Sequence, residues 1–186
     1  PTIGDMADWI AALIAAVDAT TAELIGHSMG SLVALETAAR HPARVSALRL
    51  IGTSATMTVS PDLLKAAQDN SRDAIDMVTI WGLGPTAEIG GNLAPGLWMH
   101  GGALRVLEAT KPGVLFNDLS ACNGYDNALA AAAKVEAPAT VIIGERDMMT
   151  PAKAGRALAA ALPNARVVVI PGAGHTMMSE RPEELL

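Results

Sequence analysis

The chain has 186 residues, a length that allows one domain with a small insertion and a sizeable hydrophobic core. Its composition, 51% hydrophobic and 17% charged, excludes an intrinsically disordered chain. The net charge of −6 disfavours nucleic acid and anionic membranes as partners. A single cysteine, Cys122, cannot form an internal disulfide, so we interpret it as a small core residue or a free thiol.

No stretch of the sequence has the roughly 18 uninterrupted apolar residues that a membrane span requires. The strongest candidate, residues 9–17, is short and is flanked by Asp8 and Asp18. The first residues also lack the basic region and apolar core of a signal peptide. We therefore expect a cytoplasmic protein without a membrane partner.

The region before residue 57 alternates predicted helices and short strands. Apolar side chains recur at spacings of three and four residues in the helical stretches, whereas the strands are short apolar runs that end at a glycine. In chain order we predict a helix at residues 6–17, a strand at 22–25, a helix at 29–40 and a strand at 45–51. The second helix ends near Arg40 because Pro42 disfavours helical geometry at His41.

Residues 57–134 have a different character, and we predict a mostly helical insertion there. The segment holds two helix-like stretches, a run rich in glycine and proline, and two further helical patches. They lie at residues 61–68, 71–81, 82–102, 103–109 and 127–135 respectively. Two of the three tryptophans, Trp81 and Trp98, fall in this insertion.

The alternation of strands and helices returns after the insertion. We predict a strand at residues 140–143, a helix at 151–162, a strand at 166–170 and a last helical turn from residue 182. Thr150 suits a helix start, because its hydroxyl can accept hydrogen bonds from free amides. Apolar strands that alternate with helices indicate an α/β fold, a mostly parallel sheet with helices on both faces. Residues 1–56 and 135–186 would form this core.

The most specific motif is Gly26-His27-Ser28-Met29-Gly30, which lies between a predicted strand and a predicted helix. A serine at such a tight turn needs very small residues two positions to either side, since larger side chains would collide. The turn presents the Ser28 hydroxyl at the carboxyl end of the strand. It also aims the Met29 amide at the place where an oxyanion would form. We therefore predict a nucleophilic serine.

A nucleophilic serine needs a base, and the base needs an orienting acid. Asp147 follows the strand at 140–143, and His175 follows the strand at 166–170 among small residues. Open α/β sheets build their sites at the carboxyl ends of parallel strands, so these two residues are the candidates. Three alternatives stay open. Glu145 could replace Asp147 as the acid, Asp147 could merely cap the next helix, and His175 could be a loop histidine without a catalytic role.

With its segments GHSMG, GERDMMTP and GAGHTMMSERPEEL, the sequence resembles the α/β-hydrolase-fold serine hydrolases of the lid-bearing esterase and lactonase type. The resemblance implies that Ser28 is the nucleophile, His175 the general base and then acid, and Asp147 the acid that orients it. Met29 would contribute a backbone oxyanion donor. Residues 57–134 would be the lid, and the substrate would be a small-molecule ester or lactone. No group of His, Cys, Asp or Glu has metal-ligand spacing, and we expect neither a metal nor a cofactor.

Four large apolar side chains are candidates for the walls of a substrate pocket. They are Trp81, Trp98, Met148 and Met177. The tryptophans could equally hold the lid on the body of the protein. The methionines flank the proposed acid and base, and they could equally fill the core.

In this family several strands, and a loop with a second oxyanion donor, usually precede the elbow. Only one predicted helix and one predicted strand precede Ser28 here, so we expect a chain that lacks the N-terminal strands. The strand that begins at Ala22 and ends at Ile25 would then be an exposed apolar edge, and we expect a homo-oligomer through it. Because one oxyanion donor has no candidate, the alternative function is an impaired or inactive enzyme, or a ligand-binding module of the same fold.

Overall fold

Four parallel strands form a sheet in the computed structural model of this chain, which describes residues 1–91 and 96–185. The strands are β1 (Ala22–His27), β2 (Val45–Ile51), β3 (Ala139–Gly144) and β4 (Ala165–Ile170). They pair in chain order, so β1 and β4 are the edges of the sheet in the part of the chain that is described. The predicted α/β fold with a parallel sheet is confirmed.

Eleven α-helices and one 3₁₀ helix, Pro42–Arg44, accompany this sheet in the described ranges. In chain order the α-helices are α1 (Ile3–Ala16), α2 (Met29–Arg40), α3 (Pro61–Gln68), α4 (Arg72–Gly82), α5 (Pro85–Glu88), α6 (Met99–Glu108), α7 (Val114–Asn123), α8 (Ala128–Ala132), α9 (Ala152–Ala161), α10 (Met177–Glu180) and α11 (Pro182–Leu185). None of these helices is long and apolar enough to cross a membrane. Part of the predicted run rich in glycine and proline, residues 92–95, lies outside the described residues.

Because the strands are parallel and in register, their carboxyl ends all lie at the same end of the sheet. Gly144, the last residue of β3, is paired with Ile170, the last residue of β4. Because the chain leaves every strand at this end, the loops that follow β1, β3 and β4 all lie at the carboxyl end of the sheet. Those three loops carry Ser28, Asp147 and His175.

The two faces of the sheet are covered differently. On one face, side chains of β2 and β3 pack against α2, α8 and α9 in the main hydrophobic core. Its fully buried members include Leu35, Leu50, Val141 and Leu158. On the other face, a smaller apolar cluster lies toward the carboxyl ends of the strands. It contains Ile51, Ile142, Ile170, Ala173 and Met177.

Toward the strand starts, this second face is polar. Arg49 of β2 forms an ion pair with Glu23 of β1, and Arg166 Nε of β4 donates to Thr140 Oγ1 of β3 at 3.0 Å. Ile25 on the same face is 65% exposed. Parallel sheets normally bury both faces, so this chain covers its second face less than the strand pattern predicts.

The connection between β2 and β3 is helical, consisting of α3 to α8. Within it, α3, α4 and α7 share a separate apolar cluster around Leu63 and Ala74. In contrast, Ala128, Ala131 and Ala132 of α8 are fully buried in the main core. The division into a core and a lid at residues 57–134 stays a prediction, but α8 packs as part of the body.

The structure differs from the predicted elements at two informative places. α7 forms where the sequence pattern predicts no helix, because Phe116 and Leu119 pack against the helices before it in the separate cluster. Thr150 does not cap α9, which starts after Pro151 without a side-chain cap. The Thr150 hydroxyl donates to Asp147 Oδ2 at 2.6 Å instead, so a tertiary contact replaces the local one.

Candidate active site

Ser28 lies in a strained turn between β1 and α2. Its backbone has φ 52° and ψ −122°, a conformation that costs a non-glycine residue about 1–3 kcal/mol. The turn is anchored, because the Ser28 amide donates to the Ile51 carbonyl oxygen at 2.9 Å and the Ser31 hydroxyl donates to the Ser28 carbonyl oxygen at 2.6 Å. Backbone strain that the fold maintains at a single serine is typical of a functional residue.

Only one of the two glycines that flank the turn is sterically required. A Cβ on Gly26 would lie 2.2 Å from the Gly30 carbonyl oxygen, so no side chain fits there. A Cβ on Gly30 would meet no described heavy atom within 4 Å. The expectation that both glycines prevent a collision is therefore wrong for Gly30.

Met29 is the first residue of α2, directly after Ser28. The amides of a first helical turn have no carbonyl partner within their own helix, and they lie at the positive end of the helix dipole. The Met29 amide is therefore suited to stabilise negative charge that develops next to the Ser28 hydroxyl.

Asp147 and His175 form a buried pair. The ring nitrogen His175 Nδ1 and the carboxylate oxygen Asp147 Oδ2 are 2.8 Å apart, and the two residues are only 3% and 6% exposed. An ionised carboxylate can only accept hydrogen bonds, so Nδ1 carries the proton. In the neutral ring, this tautomer leaves Nε2 as a hydrogen-bond acceptor.

Asp147 is kept ionised by the hydrogen bonds around it. Burial alone would raise the pKa of its carboxyl group, but the hydrogen bonds from His175 and Thr150 outweigh burial and hold the pKa below its usual 3.8. The amides of Met149 and Thr150 both donate to Asp147 Oδ1, at 2.9 and 2.8 Å. The carboxylate is thus fixed in orientation by its own loop.

The second ring nitrogen of His175, Nε2, is buried and has no hydrogen-bond partner among the described residues. Buried polar atoms nearly always have a partner, so an unsatisfied acceptor at this position needs a reason. A base that must receive a proton during a reaction provides such a reason, since its acceptor site has to be free beforehand.

His27 contacts the same histidine from the turn. Its Nε2 donates to the His175 carbonyl oxygen at 2.9 Å, and the two ring centroids are 4.6 Å apart. Burial, followed by the proximity of His175, lowers the pKa of His27 to about 4. His27 is therefore a neutral donor at pH 7 that holds the main chain of His175.

A cavity of about 330 Å³ opens at Ser28 between the sheet and the helical segment. Trp81 and Met148, two of the four predicted pocket residues, line it together with Leu119 and Cys122. Burial, with a smaller contribution from Asp118, raises the pKa of the Cys122 thiol to about 11, so this side chain is an uncharged wall.

The other two predicted pocket residues lie elsewhere. Trp98 lines a separate cavity of about 540 Å³, next to His27 and Thr176. Met177 is 0% exposed and packs with Ile142 and Ile170 in the second apolar cluster. Met177 is a core residue and not a pocket wall, because α10 turns it toward the sheet.

The whole chain, residues 1–186, matches a family model described as "Alpha/beta hydrolase family". The chain belongs to the alpha/beta hydrolase family. It is 30% identical to the pimeloyl-[acyl-carrier protein] methyl ester esterase of Chromobacterium violaceum over 184 residues, which cover 91% of this chain and 68% of that protein.

Solved structures agree with this assignment. A thermophilic esterase is similar with 29% identity and a TM-score of 0.79, over 100% of this chain and 70% of the other. The enol-lactonase from Burkholderia xenovorans LB400 shares the fold, with 23% identity and a TM-score of 0.88. That match covers 100% of this chain and 70% of the enol-lactonase. Family and relatives identify this alpha/beta hydrolase as an enzyme of the hydrolase class.

Sequence reasoning missed residues that shape the Asp147–His175 pair. Gly52, directly after β2, has φ 56°, and a Cβ there would lie 3.0 Å from the His175 ring. Thr150 donates its hydroxyl to the carboxylate, as described above. The only signal for Gly52 is a glycine at the end of a strand, and its contact with His175 becomes visible only in three dimensions.

The flanking glycines give a matched pair of substitutions. Gly26→Ala should lower the free energy of unfolding by about 3 kcal/mol or more, because the added methyl group overlaps the Gly30 carbonyl oxygen. Gly30→Ala should raise it by about 0.4–1 kcal/mol, since the position is helical and open. Urea denaturation followed by circular dichroism measures both, and equal effects would contradict the steric argument.

The low pKa of His27 predicts a specific loss of stability in acid. The unfolded chain binds a proton at His27 below about pH 6.5, whereas the folded chain resists it until about pH 4. The free energy of unfolding should therefore fall as the pH is lowered through this window, and it should be fully retained above it. Denaturation curves at pH 7.5, 5.5 and 4.5 measure this dependence. His27→Gln, which keeps a donor but does not titrate, should flatten it, and an unchanged slope would refute the assignment.

Proposed function

We propose that this alpha/beta hydrolase cleaves carboxylic esters or lactones through an acyl-enzyme formed on Ser28. The observation that carries the proposal is the buried His175 ring, which is held by Asp147 at Nδ1 and has no partner at Nε2. A strained, anchored serine lies in the turn after β1, next to His27, which contacts His175. Relatives named as esterases, at 30% and 29% identity, support the ester as substrate.

In this mechanism the Ser28 hydroxyl oxygen attacks the ester carbonyl carbon while His175 Nε2 takes the hydroxyl proton. The tetrahedral oxyanion accepts a hydrogen bond from the Met29 amide. When the intermediate collapses, the carbon–oxygen bond of the ester breaks, and His175 returns the proton to the leaving alcohol. Water then repeats both steps on the acyl-serine and releases the acid. A lactone follows the same course, except that its alcohol and acid are parts of one product.

Asp147 acts through His175 in this proposal. Its hydrogen bond fixes the tautomer with the proton on Nδ1, and its negative charge stabilises the imidazolium that forms during the attack. Glu145 is a poor substitute, because it lies on the exposed side of the loop and accepts from the Gly172 amide at 2.9 Å.

The lining of the cavity at Ser28 favours a substrate whose acyl group carries no charge. The described residues that line it are apolar side chains, hydroxyls and one neutral thiol, with no Asp, Glu, Lys or Arg among them. We propose that the helices α3 to α7 serve as the lid of this cavity, because Trp81 of α4 and Leu119 of α7 form part of its wall, whereas α8 packs with the body.

Hydrolysis of p-nitrophenyl esters tests the proposed roles. Ser28→Ala should reduce kcat by about 10⁶-fold, to background, and Asp147→Asn by about 10⁴-fold, because the wrong histidine tautomer is then favoured. Asp126→Asn, at an exposed aspartate, is the matched control and should leave kcat unchanged.

The same assay, run with acyl chains of increasing length, tests the cavity and the lid. Trp81→Ala should shift the preference toward longer chains, because it removes a wall. A folded wild-type protein without any turnover would favour a ligand-binding role for this fold. Activity that survives in Ser28→Ala would refute the acyl-enzyme.

We further propose that two copies associate through β1. Within the described residues this strand is a sheet edge, and edge strands present unpaired amides and carbonyls to other chains. An apolar groove of about 580 Å³ runs beside it, where Trp9 and Ile25 are 62% and 65% exposed.

Light scattering after size exclusion tests the association at micromolar concentration. The wild type should have the mass of a dimer or larger assembly, and Ile25→Lys should shift it to the monomer. Leu129→Lys, on an exposed apolar residue of α8, should leave the mass unchanged. A monomeric wild type would contradict the proposal.

A further inference from the structure

We infer that Glu180 is a positioning residue that fixes the main chain of His175 to the helical segment; the inference rests on the proposed function of that histidine. Glu180 is the last residue of α10, and it is only 2% exposed. No Lys, Arg or His side chain pairs with its carboxylate among the described residues. Its partners are backbone amides and the Thr176 hydroxyl, whose oxygen lies 3.3 Å from Oε1.

The carboxylate of Glu180 binds amides from two different segments. Oε2 accepts from the Gly84 amide at 3.1 Å, and both oxygens accept from the Gly174 amide, at 3.1 and 3.0 Å. Gly174 immediately precedes His175, whereas Gly84 follows α4 in the helical segment. Hydrogen bonds to an ionised acceptor are stronger than neutral ones, and burial keeps water from competing for these amides.

A second set of hydrogen bonds joins the main chain of His175 and Thr176 to the end of α4. The amides of His175 and Thr176 both donate to the Gly82 carbonyl oxygen at the end of α4, at 3.0 and 2.9 Å. The Thr176 hydroxyl donates to the same oxygen at 2.9 Å. The His175 amide is thus hydrogen-bonded directly to the end of α4. The amide of the residue before it, Gly174, donates to Glu180.

Two glycines allow this close approach of one backbone to another. A Cβ on Gly84 would lie 2.7 Å from Glu180 Oε2 and 2.9 Å from the Gly174 amide nitrogen. A Cβ on Gly174 would lie 2.3 Å from the Gly84 amide nitrogen. The two amides therefore lie near each other, and the Glu180 carboxylate between them accepts from both.

These hydrogen bonds determine where the proposed base, His175, is placed. Asp147 controls the His175 ring at Nδ1, but a single hydrogen bond does not fix the distance between Nε2 and Ser28. That distance depends on the main chain of His175, which Gly82, Gly174 and Glu180 hold. A misplacement of about 1 Å can reduce a rate by about 100-fold. Glu180 thereby makes the position of the base depend on the helical segment.

Glu180→Gln and Glu180→Ala test this inference in the full chain. Gln keeps the shape but replaces one acceptor by a donor, so it should lower kcat by about 10-fold. Ala removes both acceptors and should lower kcat by about 100-fold. KM for a p-nitrophenyl ester should change less than 2-fold in both variants, because Glu180 does not line the Ser28 cavity. Glu183→Gln, at an exposed glutamate of α11, is the control and should match the wild type.

A second readout does not depend on turnover. In histidine-labelled protein, the nuclear magnetic resonance signal of the His175 Nδ1 proton should be sharp and far downfield in the wild type and in Glu183→Gln. It should broaden or shift in Glu180→Gln, with circular dichroism unchanged. If no protein turns over ester, the proposed function fails, and this signal still decides the positioning role. An unchanged signal in folded Glu180→Gln, or an unchanged kcat in an active enzyme, would overturn the inference.

Discussion

Asp147 and His175 can meet only because β3 and β4 run parallel and in register, so that the loops that follow them leave the sheet at its carboxyl end. The approach of these loops requires Gly144, since a Cβ there would lie 2.2 Å from the Gly174 carbonyl oxygen. Burial of the pair excludes water and strengthens its hydrogen bond, but it also penalises the charged carboxylate. The Met149 and Thr150 amides and the Thr150 hydroxyl offset that penalty. No Lys or Arg side chain forms an ion pair with the Asp147 carboxylate among the described residues.

The features that the sequence predicts correctly are those with a local cause. Apolar runs that end in glycine locate the strands, and the predicted bounds of β2, residues 45–51, match the observed ones. The strand–turn–helix context places Ser28 in the strained turn, and the parallel sheet follows from the alternation of elements. The features that it misses arise between distant segments. Thr150 bonds to Asp147 and not to α9, and Met177 packs into the sheet. No periodicity in the sequence indicates these contacts.

The helical connection between β2 and β3 has two kinds of contact with the site. Trp81 and Leu119 form walls of the cavity at Ser28, as expected of a segment that selects substrates. The carbonyl oxygen of Gly82 and the amide of Gly84 hold the main chain around His175. A change in the cavity wall formed by α4 should therefore also affect the main chain of His175, the proposed base, since both contacts involve the same end of one helix.

In the proposed mechanism the turn and the buried pair make Ser28 a reactive nucleophile. Intact-mass spectrometry after treatment with a fluorophosphonate tests it directly, because this reagent needs an activated serine but no knowledge of the substrate. We expect one covalent adduct in the wild type, none in Ser28→Ala, and strongly slowed labelling in His175→Gln. A folded wild-type protein that stays unlabelled, or an adduct that persists in Ser28→Ala, would contradict it.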